Sequence, residues 1–369
     1  MIEPELLQQQ AIALLKELIA IPSYSKEEDR TADTIEKFLL SKAVITQRHG
    51  NNIWAINKFF DTQKPTILLN SHHDTVKQNA GYTINPFLPV EKDGKLFGLG
   101  SNDAGGCLVA LIATFIYFYN NEDLKYNLVL AATAEEEISG HNGIESLLQD
   151  TAFLKLSSAK ESPSPFQEWC AIVGEPTRMQ MAVAEKGLLV LDCSAHGKAG
   201  HAARDEGENA IYKAMNDIEW FKNFHFPKIS ELLGPVKMTI TSIETENKAH
   251  NVIPATCNFI VDIRVNELYT FDEVIAVISS HVTCDVRPRS VRLRSSSILP
   301  EHPLVKAGLA IGRSYYGSPT TSDKALVSFP ALKMGPGNSV RSHTADEYIF
   351  TDEIKEGIAI YIQLLKKIL

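Results

Sequence analysis

The chain has 369 residues, 44% of them hydrophobic and 22% charged, a balance that reads as an ordinary globular protein rather than a disordered one and can fill a sizeable core. The formal net charge is -9, and no cluster of Lys and Arg interleaves with aromatics, which argues against a nucleic-acid partner. The five cysteines (Cys107, Cys170, Cys193, Cys257 and Cys284) are scattered without a CxxC pair, which argues against a disulfide framework and a thiolate metal site.

In chain order, helical patterns cover Glu5 to Ala20 and Glu27 to Leu40. The opening stretch lacks a basic n-region and reads as an amphipathic helix rather than a signal peptide. Short apolar strands follow at Asn52 to Asn57 and Thr66 to Asn70. A helix from about Ala104 to Tyr119 contains the longest apolar run, which is too short to span a bilayer needing roughly 20 residues. No membrane partner and a cytoplasmic location are therefore expected. A strand at Asn127 to Ala132, a short helix from Gly143 to Leu148, a polar loop at Lys160 to Phe166 and a buried strand at Cys170 to Val173 complete the first half. Strands alternating with helices predict an α/β fold: a mixed sheet, mostly parallel at its core, flanked by helices.

After Pro176 the order changes. It predicts a strand (Leu188 to Ala195), a helix (Asn209 to Asn223), two strands (Val236 to Ile243 and Thr256 to Arg264), a helix (Phe271 to His281) and a strand (Ser290 to Ser296). That β-α-β-β-α-β order is a ferredoxin-like unit, read as an insertion at residues 181–297. The host domain then comprises residues 1–180 and 298–369, closing with a helix near Leu304 to Tyr315, a strand at Ala331 to Met334 and a helix from Asp352 to Leu369.

Five segments place an acid or an imidazole where a buried strand should end, and open α/β sheets gather ligands at such ends. In LLNSHHDTV, His72 and Asp74 are two apart, so in extended chain both point the same way. His72 suits a metal, and Asp74 suits the other imidazole N–H. In GLGSNDAGG, glycines permit tight backbone around Asp103, which by itself also reads as a helix cap. In VLAATAEEEISG, three glutamates follow a core strand directly, an odd place for a solvated charge run. In AIVGEPT, Glu175 precedes Pro176, and in KMGPGNSVRSHTADE a Gly-Pro-Gly turn leads to His343. Imidazoles and carboxylates without thiolates suit zinc, with cobalt or manganese as replacements. Two histidines and three carboxylates exceed one catalytic ion and suit a pair with a bridging carboxylate.

These motifs, in this order, resemble those of the two-zinc aminoacylase and metallopeptidase family, which includes acetylornithine deacetylase and succinyl-diaminopimelate desuccinylase. The resemblance covers nearly the whole chain and implies a zinc-exopeptidase-like host domain. It implies two Zn2+ ions per subunit held by His72, Asp103, Glu137, Glu175 and His343, with Asp103 bridging. Glu136 is then the general base and Asp74 the group behind His72. A cis peptide is implied after Asp103, and Ala104 departs from the lysine often found there. The inserted domain is implied to mediate a homodimer. Within it, HGKAGHAA supplies His201 for the oxyanion, and AHNVIP and VDIRV supply Asn251 and Arg264 for the substrate. Arg264 has a plainer reading as the salt-bridge partner of Asp262.

The implied reaction is hydrolysis of a small N-acyl amino acid, first N-acetylornithine to ornithine and acetate, a step of arginine biosynthesis. N-acyl citrulline, succinylated ornithine, acylated lysine, succinyl-diaminopimelate and small peptides are the alternatives within the family. A metal-binding homologue without catalysis is a further alternative, which the retained Glu136 disfavours. A dinucleotide enzyme is disfavoured because GLGSNDAGG lacks the GxGxxG spacing.

Overall fold

A computed structural model of the chain describes residues 3–157 and 168–369; the loop expected at Lys160 to Phe166 lies outside the described residues. The chain divides into two compact units. The first comprises residues 1–183, 297–316 and 322–369, and the second residues 184–296 and 317–321.

The first unit is an α/β layer structure on a mixed sheet. Strands Asn127–Thr133, Thr66–His72, Trp169–Val173 and Ala331–Lys333 lie side by side and parallel. Antiparallel strands extend both edges: Asn52–Ile56 and Thr46–His49 on one side, and Met181–Glu185 on the other. The parallel strands are buried along their whole length, which is why each carries a continuous apolar run (67–69, 128–132 and 169–173) rather than an alternation. Successive residues nonetheless serve opposite faces. Ile67, Leu69, Leu128, Leu130 and Ile172 join the core shared with helices Pro4–Ile19, Gly106–Phe118 and Thr351–Lys366. Leu68, Val129, Ala171 and Val173 join a second core with Trp54, Phe153, Trp169 and Phe329.

Helix Gly106–Phe118 is apolar all round because it is buried all round. The stretch Ser101–Phe118 is long and apolar enough to cross a membrane, yet it forms the centre of this unit's core. The helix expected from Leu304 to Tyr315 is shorter in the structure. It spans Pro303–Ala310 and ends early because Gly312 turns left-handed (φ 78°), after which Tyr315–Ser318 is a strand.

The second unit is a four-stranded antiparallel sheet in the order Lys237–Thr245, Thr256–Val265, Gly187–His196, Asp285–Ser290. Strict alternation sends Leu189, Leu191 and Cys193, with Phe259, Val261 and Ile263, into one core with helices Ala210–Asn223 and Phe271–Ser279. Thr270 and Glu273 form a reciprocal capping box at the start of the second helix. The β-α-β-β-α-β order is present, but its last strand is Asp285–Ser290 rather than Ser290 to Ser296. Pro288 hides that strand from pattern reading; the sheet tolerates it because the strand is an edge and bulges between Pro288 and Ser290.

Candidate metal centre and active site

Parallel pairing aligns the strand ends of the first unit. His72 sits opposite Thr133, and Asn70 opposite Val173, so His72, Glu136, Glu137 and Glu175 emerge at the same carboxyl edge. Asp103 comes from a tight turn before helix Gly106–Phe118, where Gly100 adopts φ 74° and the Asp103–Ala104 peptide is cis. His343 comes from the loop after strand Ala331–Lys333.

The five expected ligands and Glu136 converge. His72 Nε2 lies 3.5 Å from Asp103 Oδ1, 3.7 Å from Glu175 Oε1 and 3.9 Å from Glu136 Oε2. His343 Nε2 lies 3.0 Å from Glu137 Oε2 and 3.7 Å from Asp103 Oδ2. Around a tetrahedral zinc ion with bonds of about 2.0–2.2 Å, ligand atoms stand roughly 3.3–3.6 Å apart, close to the spacing seen here. The two oxygens of Asp103 face different histidines, as a carboxylate between two ions must. His72 Nδ1 contacts the carbonyl oxygen (3.0 Å) and the carboxylate (3.3 Å) of Asp74. Its Nε2 is buried without a hydrogen-bond partner among the described residues. A buried imidazole nitrogen left without a donor or acceptor among carboxylates fits a cation, so the donor set suits a metal site.

Asp74 does more than orient His72. Its carboxylate accepts the backbone N–H groups of Glu136 and Glu137, both at 3.1 Å, and the Ser25 hydroxyl at 2.6 Å. The start of the glutamate turn is held separately. Asn52 accepts the Ala134 N–H, and Glu28 accepts that of Glu135, which has φ 56°. Glu135 thus serves the turn, with its carboxylate on Asn142, while Glu136 and Glu137 point into the cluster.

The carboxylates are crowded. Burial, with Glu175, Asp323 and Glu137 nearby, pushes Glu136 well above the usual carboxylate range against the opposing pull of His72. Glu137 is raised by burial and by Asp103, although the His343 hydrogen bond opposes this. The same hydrogen bond lifts His343 to about 9. Burial alone lowers the pKa of His72, but Asp103 and Asp74 outweigh it and hold the ring well above the ordinary histidine range. A pocket that holds protons among so many carboxylates is one in which cations would replace those protons.

Three supporting acids carried no signal in the sequence. Glu347 accepts the N–H groups of Gly100, Asn102 and Asp103, and burial beside Asp103 pushes it to about 8. Asp323 accepts the Thr133 hydroxyl at 2.9 Å, with burial raising it to about 6. Glu28 is fully buried beneath the glutamate turn. Each sits in a polar stretch whose burial only the fold creates.

The remaining expected residues belong to the second unit. His201 lies on a two-stranded ribbon that pairs it with Val252, Asn251 lies in the turn just before Val252, and both are exposed. The Ala203 N–H donates to His201 Nδ1 at 3.1 Å. Arg264 Nε lies 2.8 Å from Asp262 Oδ1, and its Nη2 3.0 Å from Oδ2, so its fork is engaged by that carboxylate.

Comparison with known proteins agrees with this geometry. The chain is 25% identical over 381 residues to a succinyl-diaminopimelate desuccinylase from Wolbachia pipientis, covering 96% of this chain and 92% of the relative. It is 27% identical over 290 residues to an acetylornithine deacetylase from Myxococcus xanthus, covering 77% and 68%. In fold it is similar to an M20 family metallo-carboxypeptidase from Sulfolobus solfataricus, with a TM-score of 0.75, 17% identity and coverage of 97% and 99%. A Bacillus subtilis structure described as a dinuclear metal-binding peptidase of the M20 family gives a TM-score of 0.70 at 14% identity, covering 98% of each chain. The family model for peptidase family M20/M25/M40 matches residues 68–367, and this chain belongs to that family of metal-dependent hydrolases.

Proposed function

We propose that the protein hydrolyses the amide bond of a small N-acyl amino acid with two zinc ions, held by His72, Asp103 and Glu175 on one side and by Asp103, Glu137 and His343 on the other. The observation that carries this reading is the pair of Asp103 oxygens facing two different histidines. When bound, two such ions supply a nucleophilic water at neutral pH and polarise the acyl carbonyl.

The chain's own groups do the rest. Glu136, held at the rim by the Asp74 bond to its amide, takes the proton of the attacking water and delivers it to the leaving amine. Asp74 keeps His72 Nδ1 occupied so that Nε2 is the nitrogen presented to the cation. His201 is proposed as the oxyanion donor, Asn251 and Arg264 as substrate-binding groups, and a homodimer as the working form. For Arg264 this requires the substrate carboxylate to compete with Asp262.

N-acetylornithine is the first candidate substrate, and cobalt a candidate substitute for zinc. A second reading, succinyl-diaminopimelate, is favoured by relatives of that name at 25–26% identity. The test is release of free amine from acetyl and succinyl derivatives of ornithine, citrulline, lysine and diaminopimelate, with zinc or cobalt added. Preference for an acetyl substrate supports the first reading, and preference for succinyl-diaminopimelate the second. No release from any of them, with both ions bound, refutes the proposal.

A further inference from the structure

The turn that carries Asp103 and the loop that carries His343 are far apart in sequence but laced together. Glu347 stands four positions beyond His343, and its side chain is buried. Its Oε1 accepts the N–H groups of Asn102 (2.8 Å) and Asp103 (2.9 Å), and its Oε2 accepts that of Gly100 (3.1 Å). Its own carbonyl accepts the Gly98 N–H at 3.0 Å. A second lacing runs alongside. Asn102 donates to the Asn338 carbonyl at 3.1 Å and accepts the Asn338 N–H at 2.9 Å.

Burying a carboxylate close to another is costly unless its lone pairs are filled. Three backbone N–H bonds from consecutive parts of one turn fill them, and they tie the turn at the amide of the bridging residue itself. The side chains of Asp103 and His343 do not lace the two segments directly: they approach only to 3.7 Å, a gap suited to an ion rather than a hydrogen bond.

We propose that Glu347 is a positioning residue that sets the spacing of Asp103 and His343, and so sets the affinity for the second ion, the one on the Glu137–His343 side. This rests on the two-ion reading above. The ion beside His72 and Glu175 shares Asp103 but takes its other two ligands from strand ends that Glu347 does not touch, so it depends on Glu347 less.

The test is titration of chelator-stripped full-length protein with cobalt(II), followed by visible absorption, with thermal unfolding measured in parallel. Native protein, Glu347→Gln and Glu347→Ala are compared. An amide keeps the Oε1 acceptor for Asn102 and Asp103 but places an NH2 against the Gly100 N–H. Glu347→Gln is therefore expected to weaken the second ion about tenfold and Glu347→Ala about a hundredfold, the span usual for groups that orient metal ligands. The first ion is expected to stay within about threefold in both. Native affinity for both ions in the variants, or equal weakening of both, overturns the role. If Glu347→Ala does not fold, the Gln variant decides alone. Failure of the native protein to take up two ions sinks the two-ion reading instead, and this inference with it.

Discussion

His73 provides a prediction whose size follows from its surroundings. It sits beside His72 but faces away from the cluster, with Nδ1 2.9 Å from the Thr31 hydroxyl and Nε2 2.9 Å from the Asn51 carbonyl. Burial lowers its pKa from 6.5 to about 4. The folded ring therefore stays neutral while the unfolded ring takes up a proton as pH falls through 6.5. The sign follows from that difference: the unfolded state binds more protons between pH 6.5 and 4, so stability is full above 6.5 and is lost as pH falls towards 4. A gap of about 2.5 pKa units corresponds to about 3 kcal/mol at pH 4, with a slope of at most about 1.4 kcal/mol per pH unit. His73→Gln lacks this titration. Its baseline stability will differ from native, but the difference between the two proteins should shrink or reverse as pH falls. Amide hydrogen exchange in strands Thr66–His72 and Asn127–Thr133, measured on chelator-stripped native and variant protein at matched pH, isolates the first unit. A native-to-variant difference that stays constant from about pH 7 to about pH 4.5 refutes the reasoning.

Other predictions concern the cluster. Glu136→Gln should keep both ions by elemental analysis while losing turnover by on the order of 10²–10⁴-fold, and a fully active variant would refute its role as base. Gly335→Ala would bring a Cβ to 2.6 Å from the Glu175 carbonyl oxygen and 2.7 Å from Cys107 Sγ, so Tm should fall by the equivalent of about 1–3 kcal/mol. Because Glu175 must move to make room, metal affinity in that variant should fall as well, and an unchanged Tm and metal content would contradict the close packing. Zinc uptake at pH 7 should release protons, at least one of them from His343, which is lifted to about 9 until a cation replaces its proton, with His72, raised in the same direction, adding to the release. Calorimetry in buffers of different ionisation enthalpy measures the count, and uptake without proton release would show that these rings are neutral beforehand.

Much of the architecture was legible because burial leaves marks in composition. The strand that leads to His72 carries the apolar run 67–69, and the helix after Asp103 is apolar almost throughout, as an element buried on every side must be. The strand Asp285–Ser290 left no such mark. Its charged residues and Pro288 read as loop, and its place at a sheet edge comes from pairing with Gly187–His196. The early stop of helix Pro303–Ala310 turns on one left-handed glycine, which the apolar pattern running on past it concealed.

By itself, the sequence determined the chemistry available. Acids and imidazoles stand directly after buried strands, with no thiolates among them, so hard and borderline cations are what such a chain can hold. Which of those groups meet was decided by the tertiary structure. Parallel register brings His72, Glu136, Glu137 and Glu175 to one edge, and the Asp103 turn and the His343 loop close over it. The roles of Glu347, Asp323 and Glu28 also belong to the fold. Each of these carboxylates finds its partner far away along the chain, and no local pattern encodes which amide or hydroxyl a distant oxygen will accept.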